Sequence, residues 1–488
     1  DNLLDVMWFR RDLRIEDNIA LSEALSNSDS LLLLFHVNPE QFVKGESKNE
    51  AAFFQRVKRF KREIELAGGK IHFLYGDLKK SLQKLKERSP EWSSIYLNYD
   101  ETGYGLKRDQ MIAPLFKELD IKVHAFHDHY LHSAQEIKTN AGTAYKVYTP
   151  YYNKWIKRMK ASPVQVNFDD AKIIKNELFK EDYKKFASDK FRAFFSNYEL
   201  AVGTTGNLGI SVGAMGRALG FQVTVHMSEE AKDWKKDFLR NRGVEVIEHK
   251  TNFTKAVEEG RKASNANPRS YFIDDEHSVD LFLGYTVGGY RMKKQLANEG
   301  IQVDAEHPLF VYLPCGIGGS PSGITFGLKH AFGDHVHCFF AEPTKMPSMI
   351  AGLASQKYDQ IEVKELNLGG VTVADGLAVP RTSALVAKLM NHYFSGGYTL
   401  KDRSFQILLT KLFESEEIFL EPAAVAGLAG PFKLLSTEKG KKYLEKYQLG
   451  SQLKNATHIA WATGGSMVPT DEQLNFIREG KGKDLRKG

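Results

Sequence analysis

Leu309-Phe310-Val311-Tyr312-Leu313-Pro314-Cys315-Gly316-Ile317-Gly318-Gly319-Ser320-Pro321-Ser322-Gly323 runs from an apolar strand through a glycine loop into the start of a helix. Four of the nine residues from Cys315 to Gly323 are glycine. Such a loop lets backbone approach a ligand, and free N–H groups at a helix start favour an anion. It therefore reads as a phosphate cradle, the alternative being a tight strand–helix turn. Upstream, Gly203-Thr204-Thr205-Gly206-Asn207-Leu208-Gly209 repeats the pattern after a strand ending at Val202. Downstream, Trp461-Ala462-Thr463-Gly464-Gly465-Ser466-Met467 closes the last strand with a hydroxyl beside two glycines. Further strands are expected at 222–226, 245–249, 271–274 and 335–342, with a long helix over Val279–Asn298.

The first 135 residues alternate in the same way on a shorter spacing. Strands are expected at 5–10, 30–37, 70–77, 94–100 and 122–131, and amphipathic helices over 46–67 and 105–119. Leu31 to Phe35 is apolar throughout, as in a parallel sheet covered on both faces. Between Lys138 and Asn197 the regularity fades into tyrosine, lysine and arginine, broken by Pro150 and Pro163. The expected division is residues 1–135 as one α/β domain, 136–190 as linker and junction, and 191–488 as a second α/β region.

Composition is that of an ordinary globular chain: 488 residues, 42% hydrophobic and 26% charged. A net charge of +6 permits an anionic partner without requiring one. No apolar run approaches the ~20 residues of a membrane span. The charged opening from Asp1 to Arg14 argues against a signal peptide, and Cys315 and Cys338 alone cannot build a disulfide framework. A cytoplasmic setting is the expectation.

Two other features invite a site. His124, His127, His129 and His132 cluster with Asp128, but strand alternation lets His127 and His129 converge while excluding His124, and no second ligand pair stands at zinc spacing. Lys154, Lys157, Arg158 and Lys160 could meet phosphates, the alternative being a solvated helix face; DNA binding is not expected.

The opening Met7-Trp8-Phe9-Arg10-Arg11-Asp12-Leu13-Arg14, with Asn98-Tyr99-Asp100-Glu101, Lys107-Arg108-Asp109 and Tyr145 to Trp155, resembles the DNA photolyase and cryptochrome family over residues 4–168. That resemblance implies a flavodoxin-like doubly wound domain able to hold an antenna chromophore. The family's flavin site and lesion groove lie in a following helical domain, which nothing after about residue 170 resembles, so no FAD is expected. Thr102-Gly103-Tyr104-Gly105 departs from the acidic pattern of a folate antenna, and antenna occupancy is not expected either.

The three glycine loops, with Val223 to Ser228, Phe272 to Glu276, Cys338 to Thr344 and Ala374 to Val379, resemble D-serine dehydratase from about residue 172 onward. These are pyridoxal-phosphate (PLP) enzymes of fold type II, and the resemblance implies that part of that α/β fold is missing here. It implies PLP contacts at Asn207, Gly316, Ile317, Gly318, Gly319, Ser320 and Thr463. It further implies substrate contacts at Thr204, Thr205, Gly206 and Asp275, and a monovalent cation near Glu342. Departures are Ser320 and Ser322 in place of glycine, Thr204 in place of serine, and Ser348 in place of cysteine. The family's Schiff-base lysine belongs to a Ser-x-Ser-Ile-Lys-Ala-Arg-Gly-Gly-like stretch upstream of Asn207. Residues 1–200 contain none, and Lys146 and Lys154 lie in stretches the photolyase resemblance explains. The sequence thus predicts a two-part chain with no catalytic lysine identified, inactive in both chemistries, with any PLP held weakly and non-covalently. A PLP lyase using another lysine, with the N-terminal domain as passenger and a small amino acid as substrate, is the alternative. Oligomeric state is left open.

Overall fold

The structure, a computed structural model, describes residues 3–45, 47–204, 206–250 and 253–485. It divides into two compact units, Asp1–Ser196 and Asn197–Gly488.

The first unit is built on five parallel strands, β1 (Leu4–Phe9), β2 (Leu31–Val37), β3 (Ile71–Tyr75), β4 (Trp92–Asn98) and β5 (Lys122–Phe126). Their order is β3-β2-β1-β4-β5. This is the expected doubly wound α/β class, with the order reversing between β1 and β4, whereas the flavodoxin order is 2-1-3-4-5. Helices α1 (Ile19–Asn27), α2 (Lys48–Leu66), α3 (Leu78–Arg88) and α4 (Gly103–Glu118) follow the first four strands. Each of the first three starts on a side-chain cap, from Asn18, Ser47 and Asp77. The apolar run of β2 is divided between two cores. Leu31, Leu33 and Phe35 pack with Phe54, Phe60 and Ile64, while Leu32 and Leu34 pack with Leu82, Leu85 and Phe116.

The stretch expected to be a linker is not one. Ile174 N–H donates to the Leu31 carbonyl at 3.0 Å, and Ile173 is buried in the first core. Helix α5 (Tyr148–Ile156) precedes this contact and α6 (Tyr183–Phe195) follows it. Tyr183 stacks on Phe73 at 4.2 Å, Phe186 and Phe191 pack on the same core, and Lys190 pairs with Glu50 at 2.8 Å. These anchors are spaced too irregularly among lysines to show as a period, so their burial was not legible.

The second unit holds two four-stranded parallel sheets. One has the order β8-β7-β6-β9, from β6 (Glu199–Gly203), β7 (Gln222–Ser228), β8 (Glu245–His249) and β9 (Ser270–Ile273). The other has the order β12-β11-β10-β13, from β10 (Leu309–Pro314), β11 (Val336–Pro343), β12 (Gly396–Leu400) and β13 (Thr457–Ala460). The helices used below are α7 (Asn207–Leu219), α8 (Asp233–Arg240), α9 (Phe253–Ala266), α10 (Val279–Asn298), α11 (Gly319–Phe332) and α12 (Ser348–Ser355). Helices α10 and α11 touch backbone to backbone: a Cβ at Gly327 would lie 2.2 Å from the Thr286 carbonyl oxygen. Glycine there serves helix packing. Among the described residues no helix is long and apolar enough to cross a membrane.

Candidate functional site

Four parallel strands, β6, β9, β10 and β13, end at one cavity of about 1140 Å³ in the second unit. The C-terminal ends of parallel strands are where open α/β sheets place ligands. Thr204, Gly206, Asn207, Asp275, Gly316, Ile317, Gly318, Gly319, Ser320 and Thr463 all line it, so residues separated by up to 259 positions share one cavity. Thr205 lies outside the described residues.

The loop after β10 is held from behind. Gly318 has φ of 108°, and a Cβ there would fall 2.3 Å from Met349 Cε. The Ile317 carbonyl accepts from Thr382 Oγ1 at 2.9 Å and from Ser383 N–H at 3.2 Å. By contrast, a Cβ on Gly319 would come no closer than 3.8 Å, to Asp275 Oδ1, and would project into the cavity. The first-turn N–H groups of α11 have no acceptor within the helix. The loop thus combines a rigid back with an open, donor-bearing front, which fits a phosphate. Ser320 stands on the cavity wall. Ser322 is fully buried, outside the cavity lining, with its hydroxyl unpartnered, so that departure changes the core and not the cradle.

At the second loop, Thr204 N–H donates to the His226 carbonyl at 3.0 Å and Thr204 Oγ1 accepts from Gly206 N–H at 3.0 Å. Asn207 Nδ2 donates to Glu421 Oε1, a residue the sequence reading missed. A Cβ at Gly464 would meet both, at 2.4 Å from Asn207 Nδ2 and 2.8 Å from Glu421 Oε1, which explains the glycine beside Thr463. Burial raises the Glu421 carboxyl; the Asn207 hydrogen bond and the nearby Lys235 charge pull it back. Burial also pushes Asp275 up to about 6, aided by Asp274 and Glu276. Tyr285, likewise unforeseen, faces the same wall and is pushed up to about 12 by burial and by Asp275.

Glu342 does not line the cavity. Its carboxylate is fully buried and accepts Met349 N–H at 2.8 Å and Ile350 N–H at 2.9 Å, at the start of α12. Burial pushes it up to about 8 against those bonds. The histidine group in the first unit does not converge either, because β5 ends at Phe126. His124 stacks on Tyr96, His127 Nε2 meets the Tyr130 carbonyl at 2.8 Å, His129 faces Asp100 at 3.4 Å, and His132 faces Glu136 at 3.0 Å. Asp128 pairs with Arg14. Of the basic run, Lys154 donates to the Lys138 carbonyl at 2.5 Å and Arg158 to the Glu136 carbonyl at 3.1 Å.

The family model for DNA photolyase matches residues 5–168, and that for pyridoxal-phosphate dependent enzymes matches residues 187–444. The chain belongs to the pyridoxal-phosphate dependent enzyme family, joined here behind a photolyase-family α/β domain. Within that family it is 55% identical over 300 residues to a probable D-serine dehydratase of Geobacillus kaustophilus, covering 62% of this chain and 68% of the relative. It is 56% identical over 300 residues to one of Geobacillus stearothermophilus, covering 62% and 65%. The chain therefore spans about two thirds of the length of these relatives. A crystal structure of diaminopropionate ammonia lyase from Escherichia coli in complex with D-serine is similar at TM-score 0.49 and 17% identity, over 60% of this chain and 73% of that one.

Proposed function

We propose that the second unit is a PLP-binding, D-serine dehydratase-like site that has lost the upstream segment carrying the family's Schiff-base lysine. The observation that carries this is the convergence of Asn207, Gly316–Ser320, Asp275 and Thr463 on one cavity, while residues 5–168, upstream of Asn207, match the photolyase family. The α11 start would hold the phosphate, Asn207 the phenolic oxygen, Thr463 the pyridine nitrogen, and Thr204 to Gly206 a substrate carboxylate. These contacts are non-covalent and hold PLP weakly. When bound, PLP supplies an electron sink for the carbanion left after α-proton removal. Asp275, with its carboxyl raised toward neutrality, would hold a proton for a departing hydroxyl. A positioned base for the α-proton is not supplied, and general acid–base assistance of roughly 10²–10⁴-fold is lost with it.

The substrate class is a small amino acid, the setting is cytoplasmic, and the chain binds neither FAD nor DNA. Antenna occupancy and a cation at Glu342 form no part of the reading. The experiment is pyruvate release from D-serine with saturating PLP beside free PLP. Release close to the control is expected; release far above it favours the working-lyase reading.

A further inference from the structure

Lys235 is the lysine among the described residues that line the cavity. It lies in the first turn of α8, is only 5% exposed, and its Nζ lies 5.6 Å from the centroid of the Trp234 ring. Its chain neighbour points elsewhere: Lys236 Nζ donates to the Glu229 carbonyl at 2.7 Å and to Glu248 at 2.9 Å. The other two cations on the cavity wall are Arg261 and Arg381, which face Asp274 at 2.6 Å and Glu276 at 3.6 Å. A guanidinium stays charged and does not add to a carbonyl, whereas a lysine amine does.

Location narrows the matter further. Lys235, Asn207 and Glu421 all line this cavity, Glu421 is the partner of Asn207, and the Lys235 charge lowers the Glu421 carboxyl. The PLP aldehyde stands on the ring carbon next to the one bearing the phenolic oxygen. An amine sharing the surroundings of Asn207 is therefore the one placed to meet it.

We propose that Lys235 captures an aromatic aldehyde in this cavity as a covalent imine, in place of the family's upstream lysine; this rests on the PLP-site reading above. The ammonium first yields a proton to solvent or to the Glu421 carboxylate. The neutral Nζ then adds to the aldehyde carbon, forming a C–N bond. The carbonyl oxygen leaves as water with the two remaining amine protons, and a C=N bond remains. No oxidant or reductant enters. Capture is distinct from turnover, since an imine at Lys235 does not by itself place a base at an α-proton.

The test uses the full chain with PLP at graded concentrations, reduced with borohydride and mapped by peptide mass spectrometry. Non-covalent binding is measured in parallel by equilibrium dialysis of PLP. Modification at Lys235 should saturate as PLP rises, at about tenfold or more above Lys236 and the exposed lysines, as expected when a site holds both reactants together. Lys235→Arg should abolish that adduct and its absorption band while dialysis still detects bound PLP. Lys236→Arg should leave the adduct in place. Saturable PLP binding with adducts spread evenly over surface lysines would overturn the assignment and spare the site. No saturable binding at all would overturn the PLP-site reading and this one with it. Mapping of the unmodified chain decides the matter even where a variant fails to fold.

Discussion

The two units treat buried charge in opposite ways. In the first, charges are paired: Arg10 holds both oxygens of Asp109 at 2.7 and 3.0 Å, Arg108 holds Asp100 at 2.7 Å, and Asn98 Nδ2 donates to Asp12 at 2.7 Å. Burial alone would raise Asp100, but the His129 hydrogen bond and the Arg10 and Arg108 charges hold it well below the usual carboxylate range. In the second unit Asp275, Glu342 and Glu421 are all raised, with burial the largest cause in each. Acids held low beside arginines stay ionised and are committed to their partners. Asp275 and Glu421, raised toward neutrality on a cavity wall, show the pattern of groups kept for chemistry, whereas Glu342 lies off that wall.

The comparison is tested most severely at Arg10. Its guanidinium is nearly inaccessible, and it also donates to the Asn98 carbonyl at 2.5 Å. Arg10→Met leaves that carbonyl and one face of Asp109 without a partner, which should cost about 3–5 kcal/mol. Urea denaturation followed through first-unit tryptophans would show it; a loss under about 1 kcal/mol would mean that the Arg10–Asp109 pair behaves as an exposed one.

The matching probe of the second unit is a pair of neighbouring glycines. Gly318→Ala forces a side chain into φ of 108° and against Met349, and should cost about 2–3 kcal/mol. Gly319→Ala should leave stability within about 0.5 kcal/mol, because its Cβ meets nothing closer than 3.8 Å. It should nonetheless weaken PLP binding by narrowing the cradle. Equal effects of the two on stability would mean that the loop serves the fold alone.

What was legible follows from the same physics. Strands β1 to β4 and β10 are buried on both faces, so their apolar runs stand out, and glycine loops are conspicuous where backbone must approach a ligand. Strand β12 is Gly396-Gly397-Tyr398-Thr399-Leu400, whose paired glycines mask it in the sequence, and the Tyr398 hydroxyl anchors it by donating to the Ala426 carbonyl at 2.8 Å. Glu421 was missed because its meaning depends on Asn207, 214 residues away. The available signal was one acid inside Ile418-Phe419-Leu420-Glu421-Pro422-Ala423, an apolar run with no reason to hold a charge unless it had a partner. Lys235 sits in Lys232-Asp233-Trp234-Lys235-Lys236, a charged run that gives no sign that Lys235 and Lys236 are both buried.

The units should also respond oppositely to pH. Asp100, held low, contributes stability that is present above its ordinary value of 3.8 and is lost as pH falls. Glu342, pushed up to about 8 by burial, binds its proton more tightly folded than unfolded. Its contribution is fully present below its ordinary value of 4.5 and is lost as pH rises through 8. Buried histidines such as His337, lowered to about 4 by burial, act the other way below pH 6.5, so the window from 6.5 to 8 isolates Glu342. Second-unit stability should fall there by about 2 kcal/mol. Glu342→Gln should be less stable at low pH, since an amide cannot accept both helix N–H groups through its nitrogen, but should show no such fall. A slope that survives the substitution would place the proton elsewhere.

The smallest effect belongs to Asp275, and it separates a carboxyl kept for chemistry from one that merely tolerates burial. Its value rises from 3.8 to about 6 through burial first, then the charges of Asp274 and Glu276. Among the described residues its carboxylate accepts no hydrogen bond, and Gly319 leaves the space before Asp275 Oδ1 open. Folded protein therefore binds the Asp275 proton more tightly than unfolded protein does, and the associated stability is lost as pH rises from about 4 to about 6. Asp275→Asn removes the charge and keeps the shape. The variant should match the parent at pH 4 and exceed its stability above pH 6 by on the order of 1 kcal/mol, after allowing for solvent at the cavity wall. His337 titrates in the same window, but it is common to both chains and cancels in the difference. A variant less stable than the parent at pH 7 would show that the ionised carboxylate makes a favourable contact in the resting fold. Asp275 would then belong with the paired acids of the first unit, and its place beside a departing hydroxyl would have to be given up.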